Sequence, residues 1–139
     1  MAAKDFYHNQ VIEALTKDGW EITHDPYVLP LETTKVLIDL GAERDVIGAT
    51  NGKEKIAVEV KSFLGKSDVI QFRDAFGQYL IYLNILSKQE PDRELFLAVP
   101  EQFYNRLLTE PSFMEVIKKY SILMLIYNPT TKNIESWIK

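Results

Sequence analysis

The sequence predicts a mixed α/β fold: a central sheet of parallel and antiparallel strands flanked by helices, with extra strands at the C-terminal end. Three observations carry that expectation. The stretch KIAVEVKSF, Lys55 to Phe63, alternates apolar and polar residues as a half-buried strand does. Glu94 to Val99 is a short, nearly all-apolar run, the pattern of a strand covered on both faces. Between them, Phe72, Phe76, Tyr79, Leu83 and Leu86 recur at helical spacing, so a long helix from about Ser67 to Leu86 connects the two.

The remaining elements follow in chain order. Phe6, Val11, Ala14 and Leu15 form one helical face between about Lys4 and Asp18, and Gly19 offers a left-handed stop. A short strand around Trp20 to Thr23 leads to a turn at Asp25-Pro26. Lys35 to Thr50 reads as one extended segment, and Asn51-Gly52 is a turn signal that would return the chain as a hairpin. Pro100 suits the first turn of a helix carrying Phe103, Leu107 and Leu108. A short helix over Phe113 to Tyr120 precedes strands at Ile122 to Tyr127 and Ile134 to Ile138, joined through Asn128-Pro129.

Composition bounds the function classes. With 139 residues, 46% hydrophobic and 26% charged, and no repeat or linker, residues 1–139 read as one globular domain. The absence of cysteine excludes a disulfide framework and a thiolate zinc site. Two histidines, His8 and His24, are too few for a histidine-rich metal site, and surface or capping roles are expected for both. The N-terminal MAAKDFYHNQ has no apolar leader, and no run approaches the length of a membrane span, so a cytoplasmic protein without membrane contact is expected. A net charge of −4 argues against a broadly basic nucleic-acid platform, so nucleic-acid binding must come from a local site.

KIAVEVKSF supplies that candidate. Period-two alternation puts Ile56, Val58 and Val60 on one face and Ala57, Glu59 and Lys61 on the other. If Asn51-Gly52 is a two-residue turn, Arg44 falls opposite Glu59 and Asp45 opposite Val58; one extra loop residue brings Asp45 opposite Glu59. Two carboxylates and a lysine then converge. Mg²⁺ or Mn²⁺ is held by one or two carboxylates plus waters and phosphate oxygens, and a nearby lysine can orient water or stabilise developing charge. These are parts for phosphodiester hydrolysis. The plainer alternative is a solvated strand face with cross-strand pairs such as Arg44 with Glu59.

The order of elements, with D...ExK on neighbouring strands, resembles the PD-(D/E)xK superfamily and its restriction-endonuclease-like fold over about residues 4 to 99, although no proline precedes Asp45. The resemblance implies a metal site. It also implies roles for Gln78 and Tyr82, an i, i+4 pair like one that some members place beside the metal, and for Glu13, since such folds often bring a first-helix carboxylate to the ion. Against these stand plain helix packing for Gln78 and Tyr82, and an ordinary Glu13–Lys17 surface pair.

A fuller resemblance spans the chain. The stretches AKDFYHNQVIEALTKDGWEITHDP, LIDLGAERDVIGA, KIAVEVKSFLG, GQYLIY, EPDRELFLAVP and SWIK are similar to the XisH family of cyanobacterial proteins. That family is named as a controlling factor for excision of a DNA element, acting with a site-specific recombinase and a companion called XisI, so those partners and DNA are implied here. Its strand before the hairpin carries DLGAE, which falls on Asp39 and Glu43 and leaves Asp45 outside. Asp39, Glu43 and Asp45 share parity and would point to one face of a regular strand. Hairpin geometry favours Asp45 and the family pattern favours Asp39. Both stand as candidate ligands, with Glu43 in support, and a bulge near Gly41 or Gly48 would decide which meets Glu59.

Three functions are therefore compatible with the sequence. One is a Mg²⁺-dependent nuclease using Glu59, Lys61 and an aspartate; the second is a non-catalytic factor that regulates a recombinase together with XisI. The third is an interaction domain whose apolar tail, SILMLIYNPTTKNIESWIK, forms an oligomer edge strand. Retention of D...ExK favours the first, because buried carboxylates beside a lysine are costly in a pure scaffold; the acidic charge favours the other two.

Overall fold

The computed structural model describes residues 5–46 and 52–139. The expected helix start at Lys4, the Asn51 half of the turn and a bulge at Gly48 lie outside them. The first helix, α1 (His8–Lys17), buries Val11, Ala14 and Leu15, and the chain leaves it through Gly19 at φ 91°, a conformation glycine adopts without steric cost. Five strands follow: β1 (Glu21–His24), β2 (Tyr27–Pro30), β3 (Lys35–Ile38), β4 (Leu40–Asp45) and β5 (Lys53–Val60). Next come α2 (Asp68–Gln89), β6 (Arg93–Pro100), α3 (Glu101–Phe103) running into a π-helical turn at Tyr104–Leu108, α4 (Pro111–Lys119), β7 (Leu123–Asn128) and β8 (Asn133–Ile138).

Six strands form a mixed sheet in the order β1-β4-β5-β6-β7-β8. The three central strands β5, β6 and β7 run parallel, and β1, β4 and β8 add antiparallel edges. The parallel core explains the all-apolar character of β6, which is covered on both faces. One face packs Ile56, Val58, Val60, Phe96 and Tyr127 against α1. The other packs Ala57, Leu95, Leu97 and Val99 against Phe72, Ala75, Tyr79 and Leu86 of α2. Ser67 starts α2 as its N-cap, accepting the Ile70 N–H at 3.2 Å.

α1 begins at His8, so Phe6, expected on its buried face, lies exposed in the turn before it. Two further local features differ from the sequence expectation. Lys35 to Thr50 is not one extended segment. β3 pairs with β2 in a separate hairpin, Tyr27 opposite Ile38, and the chain breaks at Asp39 before β4 joins the main sheet. β2 is only four residues, YVLP, flanked by Pro26 and ending in Pro30, too short for a periodic signal. Register is the second difference: β4 and β5 pair Leu40 with Val58, Arg44 with Glu54 and Asp45 with Lys53. The ladder closes where the Val46 N–H donates to the Gly52 carbonyl at 3.1 Å, so the connection is longer than a two-residue turn and both inferred registers are displaced.

Candidate functional site

β5 alternation turns Ala57 and then Glu59 toward α2, and the Glu59 side chain is only 7% exposed. Leu40 and Val58 are the last pair of the β4–β5 ladder on this side. One step further, Asp39 stands where a ladder partner of Glu59 belongs. Its backbone N–H donates to Glu59 Oε1 at 3.1 Å, while its own Oδ2 accepts the Val60 N–H at 2.7 Å. A side chain thus replaces a main-chain acceptor. This break between β3 and β4 is what brings the two carboxyls together.

Glycine at 41 helps to fix the break. A Cβ there would lie 2.9 Å from His24 Nδ1 and from Tyr27 Cδ2, so only glycine lets β1 and β2 close over the start of β4. The neighbours Leu40 and Ala42 are fully buried on the α1 side.

Burial dominates the electrostatics. Desolvation, followed by a hydrogen bond to the Asp39 side chain and by repulsion from its charge, pushes the Glu59 carboxyl up to about 9, against a partial opposing pull from Lys61. Near neutrality the pair therefore holds a proton. Lys61 Nζ lies 3.9 Å from Glu59 Oε2 and is 28% exposed, so it spans the distance between the buried Glu59 carboxyl and solvent.

The Lys61 backbone is anchored from two sides. Its N–H donates to the Ala98 carbonyl at 3.1 Å, extending the β5–β6 ladder, and its carbonyl accepts the Tyr127 hydroxyl at 2.7 Å. Ser62 donates its N–H and its hydroxyl to Asp5 Oδ2. Phe63 then takes a left-handed φ of 52°, strained for a bulky residue, and stacks on Phe103 at 3.8 Å. Residues 59 to 62 are thus fixed by bonds to other elements, and Phe63 by its stack on Phe103.

α2 supplies the wall. Gln78 Nε2 donates to the Tyr82 hydroxyl at 3.0 Å, and burial raises the Tyr82 hydroxyl pKa, with the charges of Glu59 and Asp39 adding to the shift. Tyr82 therefore lies within electrostatic reach of both carboxyls. Gln78 Oε1 is buried without a hydrogen-bond partner. Gln78 and Lys61 also line an open pocket of about 350 Å³, together with Asp5, Ser62, Gln71 and Asp74.

Other candidates lie elsewhere. Asp45 faces Lys53 across the hairpin, six positions along the chain from Asp39, or about 20 Å at the rise of an extended strand. The hairpin arithmetic that favoured it assumed a tight turn. Glu43 lies 3.9 Å from the buried Arg93 guanidinium, which also holds Glu90 at 3.0 Å. Glu13 pairs with Lys132 at 3.4 Å, while Lys17 reaches the Thr131 carbonyl at 2.9 Å, so the Glu13–Lys17 pair does not form either. Arg44 pairs with Glu54 and not with Glu59. His8 is 2% exposed and bonds Asp25 at 2.8 Å, a core position instead of a surface or capping one, because it opens the buried face of α1. Asp5, Ser62 and Asp74 were not singled out by sequence; Asp5 and Ser62 meet in a tertiary contact that leaves no periodic trace, whereas Asp74 lies one turn before Gln78 on α2, a spacing the sequence does carry.

The Asp39 and Glu59 carboxylates form an oxygen-only donor pair of the kind a hard divalent cation prefers. Among the described residues, no group of three or more histidine, aspartate or glutamate side chains gathers around a common point. Any ion here would be held by two carboxylates at most.

Fold and site together define a mixed α/β protein that buries one carboxylate, Glu59, beside a half-buried aspartate and a lysine at the break between two strands. The chain belongs to the XisH family: the family model described as XisH protein matches residues 1–135. An XisH family protein from Nostoc punctiforme PCC 73102, known from a crystal structure, is 38% identical, with a TM-score of 0.86 over 97% of this chain and 100% of that one. The crystal structure of an fdxN element excision controlling factor protein from Anabaena variabilis is similar at 37% identity, with a TM-score of 0.84 over 96% and 98% of the two chains. No curated protein matches the chain. No helix among the described residues is long and apolar enough to cross a membrane.

Proposed function

We propose that this chain is an excision controlling factor that acts on DNA through a nuclease-like site, with Asp39 and Glu59 as ligands of Mg²⁺ or Mn²⁺ and Lys61 as the group that meets the phosphodiester. The observation that carries this reading is the direct Asp39–Glu59 contact beneath Lys61. A buried Glu59 carboxyl that must keep a proton near pH 7 beside Asp39 is unfavourable for the fold, and a divalent cation would relieve it.

When bound, such an ion supplies a more acidic water and neutralises charge on the scissile phosphate. The chain's own residues do the rest. Asp39 keeps its orientation through the Val60 N–H, and the Gln78 amide nitrogen fixes Tyr82 while its amide oxygen stays buried without a partner. Lys61, with its backbone pinned, can hold its ammonium against a phosphate oxygen or the attacking water.

A second reading has support from charge. Asp5 and Asp74 line the same pocket as Lys61, and the chain carries −4 overall, so a DNA backbone approaches against negative potential. That favours a regulator that meets DNA only within a complex with a recombinase and an XisI-like companion. The experiment compares wild type, Lys61→Ala and Glu59→Gln in metal-dependent cleavage of single- and double-stranded DNA, and in element excision with recombinase and companion present. Loss of both activities in the folded variants supports the catalytic reading. Normal excision by both variants removes it and leaves the regulator.

A further inference from the structure

Asp5 lines the same open pocket as Lys61, and its carboxylate is held there as a bound anion would be. Oδ2 accepts both the Ser62 N–H at 3.1 Å and the Ser62 hydroxyl at 3.2 Å, while Oδ1 accepts the Tyr7 N–H at 3.0 Å. A main-chain N–H and a hydroxyl converging on one oxygen are what a phosphate oxygen also takes. The location agrees: Lys61 and Ser62 follow directly on the carboxyl end of β5, the first of three parallel strands, where open α/β sheets carry their ligands.

The donors do not depend on Asp5. Before them the Lys61 backbone is fixed by the Ala98 carbonyl and the Tyr127 hydroxyl, and after them Phe63 is stacked on Phe103. If Asp5 left, Ser62 would keep its place, and its N–H would call for another acceptor. Other polar side chains of the pocket are engaged, since Gln71 holds Gly65 and Gln78 holds Tyr82. Lys61 meets Glu59 at 3.9 Å, longer than a strong charge-assisted bond of about 2.8 Å, so its ammonium remains available to an anion. The pocket, about 350 Å³, accommodates a phosphate with part of its sugar.

We propose that Ser62 and Lys61 form a phosphate subsite, that the Asp5 carboxylate occupies it in place of the ligand, and that an incoming phosphate displaces Asp5. A cation would face N–H and O–H donors, and an apolar ligand would leave them unsatisfied. The same chemistry comes from a DNA strand or from free phosphate; the strand as source rests on the DNA reading above. The segment before α1 is then a built-in competitor, which lowers apparent affinity by the fraction of molecules in which Asp5 has let go.

Fluorescence anisotropy of a short labelled oligonucleotide, single-stranded and as a duplex, reads binding in EDTA, apart from any metal-dependent step. Asp5→Asn keeps an oxygen for the Tyr7 N–H and removes the charge. It should bind DNA about tenfold tighter than wild type, because the competing bonds to Ser62 are charge-assisted, and Asp5→Ala should show the same gain. Asp74→Asn is the control: it removes an equal charge from the same pocket, where Asp74 pairs with Arg73 at 3.5 Å, and salt screening should hold its gain below about threefold. Adding Ser62→Ala to Asp5→Asn should take back most of the gain. Inorganic phosphate at matched ionic strength identifies the source: full competition at millimolar concentration marks the free anion, and a strand that holds against it marks the phosphodiester. This pattern in a protein that cleaves nothing in Mg²⁺ keeps the subsite and removes only the catalytic reading. No binding or unchanged affinity in both Asp5 variants, an equal gain in Asp74→Asn, or a gain that survives Ser62→Ala intact would overturn the subsite.

Discussion

Asp39 and Glu59 meet through an exchange of main chain for side chain: the Asp39 N–H donates to Glu59 Oε1 at 3.1 Å, and Asp39 Oδ2 takes the Val60 N–H that a further ladder residue would have taken. The site is therefore set by where β3 ends and β4 begins. The hairpin turn at the far end of β4 does not enter. Any ion held by this pair depends on Asp39 and is indifferent to Asp45.

That dependence is testable by substitution. Asp39→Asn keeps an oxygen for the Val60 N–H but removes one of two charges, so the rise in melting temperature expected on adding millimolar Mg²⁺ or Mn²⁺ should disappear. Asp45→Asn should respond to the ions as wild type does. Thermal melts of the three proteins decide, and an ion response lost in Asp45→Asn and kept in Asp39→Asn would reverse the assignment.

The proton on Glu59 makes stability depend on pH with a definite sign. Below about 4.5 the folded and unfolded chains both hold it; above that the unfolded chain releases it first, so the unfolded state binds fewer protons and stability falls as pH rises toward about 9. By pH 7 this group alone removes on the order of 3 kcal/mol relative to the acid limit. Glu59→Gln should flatten that slope in denaturant titrations across the window. Because an ion must displace the same proton, its stabilising effect on wild type should also grow between pH 6 and pH 8.5. A metal effect independent of pH would contradict the raised carboxyl.

Much of this was legible in the sequence. Alternation in KIAVEVKSF put Glu59 on the face opposite Ile56, Val58 and Val60, although both faces prove buried and not one, and the long helix and the all-apolar strand fell where their periodicities put them. DLGAE proved more informative than hairpin arithmetic. Asp39 bonds Glu59 and Val60, Leu40 and Ala42 fill the core, Gly41 admits His24 and Tyr27, and Glu43 approaches Arg93. What could not be read was register. A strand pair slides by whole residues according to the length of its loop, and nothing in Arg44 or Asp45 announced that Glu54 and Lys53 would face them. The short β2 hairpin was hidden for a related reason, since four residues between prolines carry no period.

Arg93 anchors the opposite end of β4 and β5 and should matter for stability alone. Its side chain is 3% exposed, donates to the Ile56 carbonyl at 2.9 Å, pairs with Glu90 and stacks over Tyr27 at 4.7 Å, while Tyr27 also bonds Glu90. Arg93→Ala strips a buried charge from partners that stay behind and should cost on the order of 3 kcal/mol by chemical denaturation. Wherever the variant remains folded, its response to Mg²⁺ should match wild type. A variant as stable as wild type would show that the network contributes nothing.

Lys61 and Tyr127 separate chemistry from support. The Lys61 ammonium lies 3.9 Å from Glu59 and is 28% exposed, so Lys61→Ala should cost at most about 1 kcal/mol, as other partly solvated pairs do. If Lys61 stabilises charge on a phosphodiester, the same substitution should slow metal-dependent cleavage on the order of a hundredfold with substrate affinity little changed. Tyr127→Phe leaves the ammonium in place and removes only the hydroxyl that holds the Lys61 carbonyl at 2.7 Å, at a cost of about 1 kcal/mol. Its effect on the chemical step should be far smaller than that of Lys61→Ala, because Lys61 N–H still bonds the Ala98 carbonyl. Single-turnover cleavage of the two variants, each checked for a native melt, measures the difference. Equal rates in both would mean that the position of the strand matters and the ammonium does not, and Lys61 would then be a surface charge beside a buried acid.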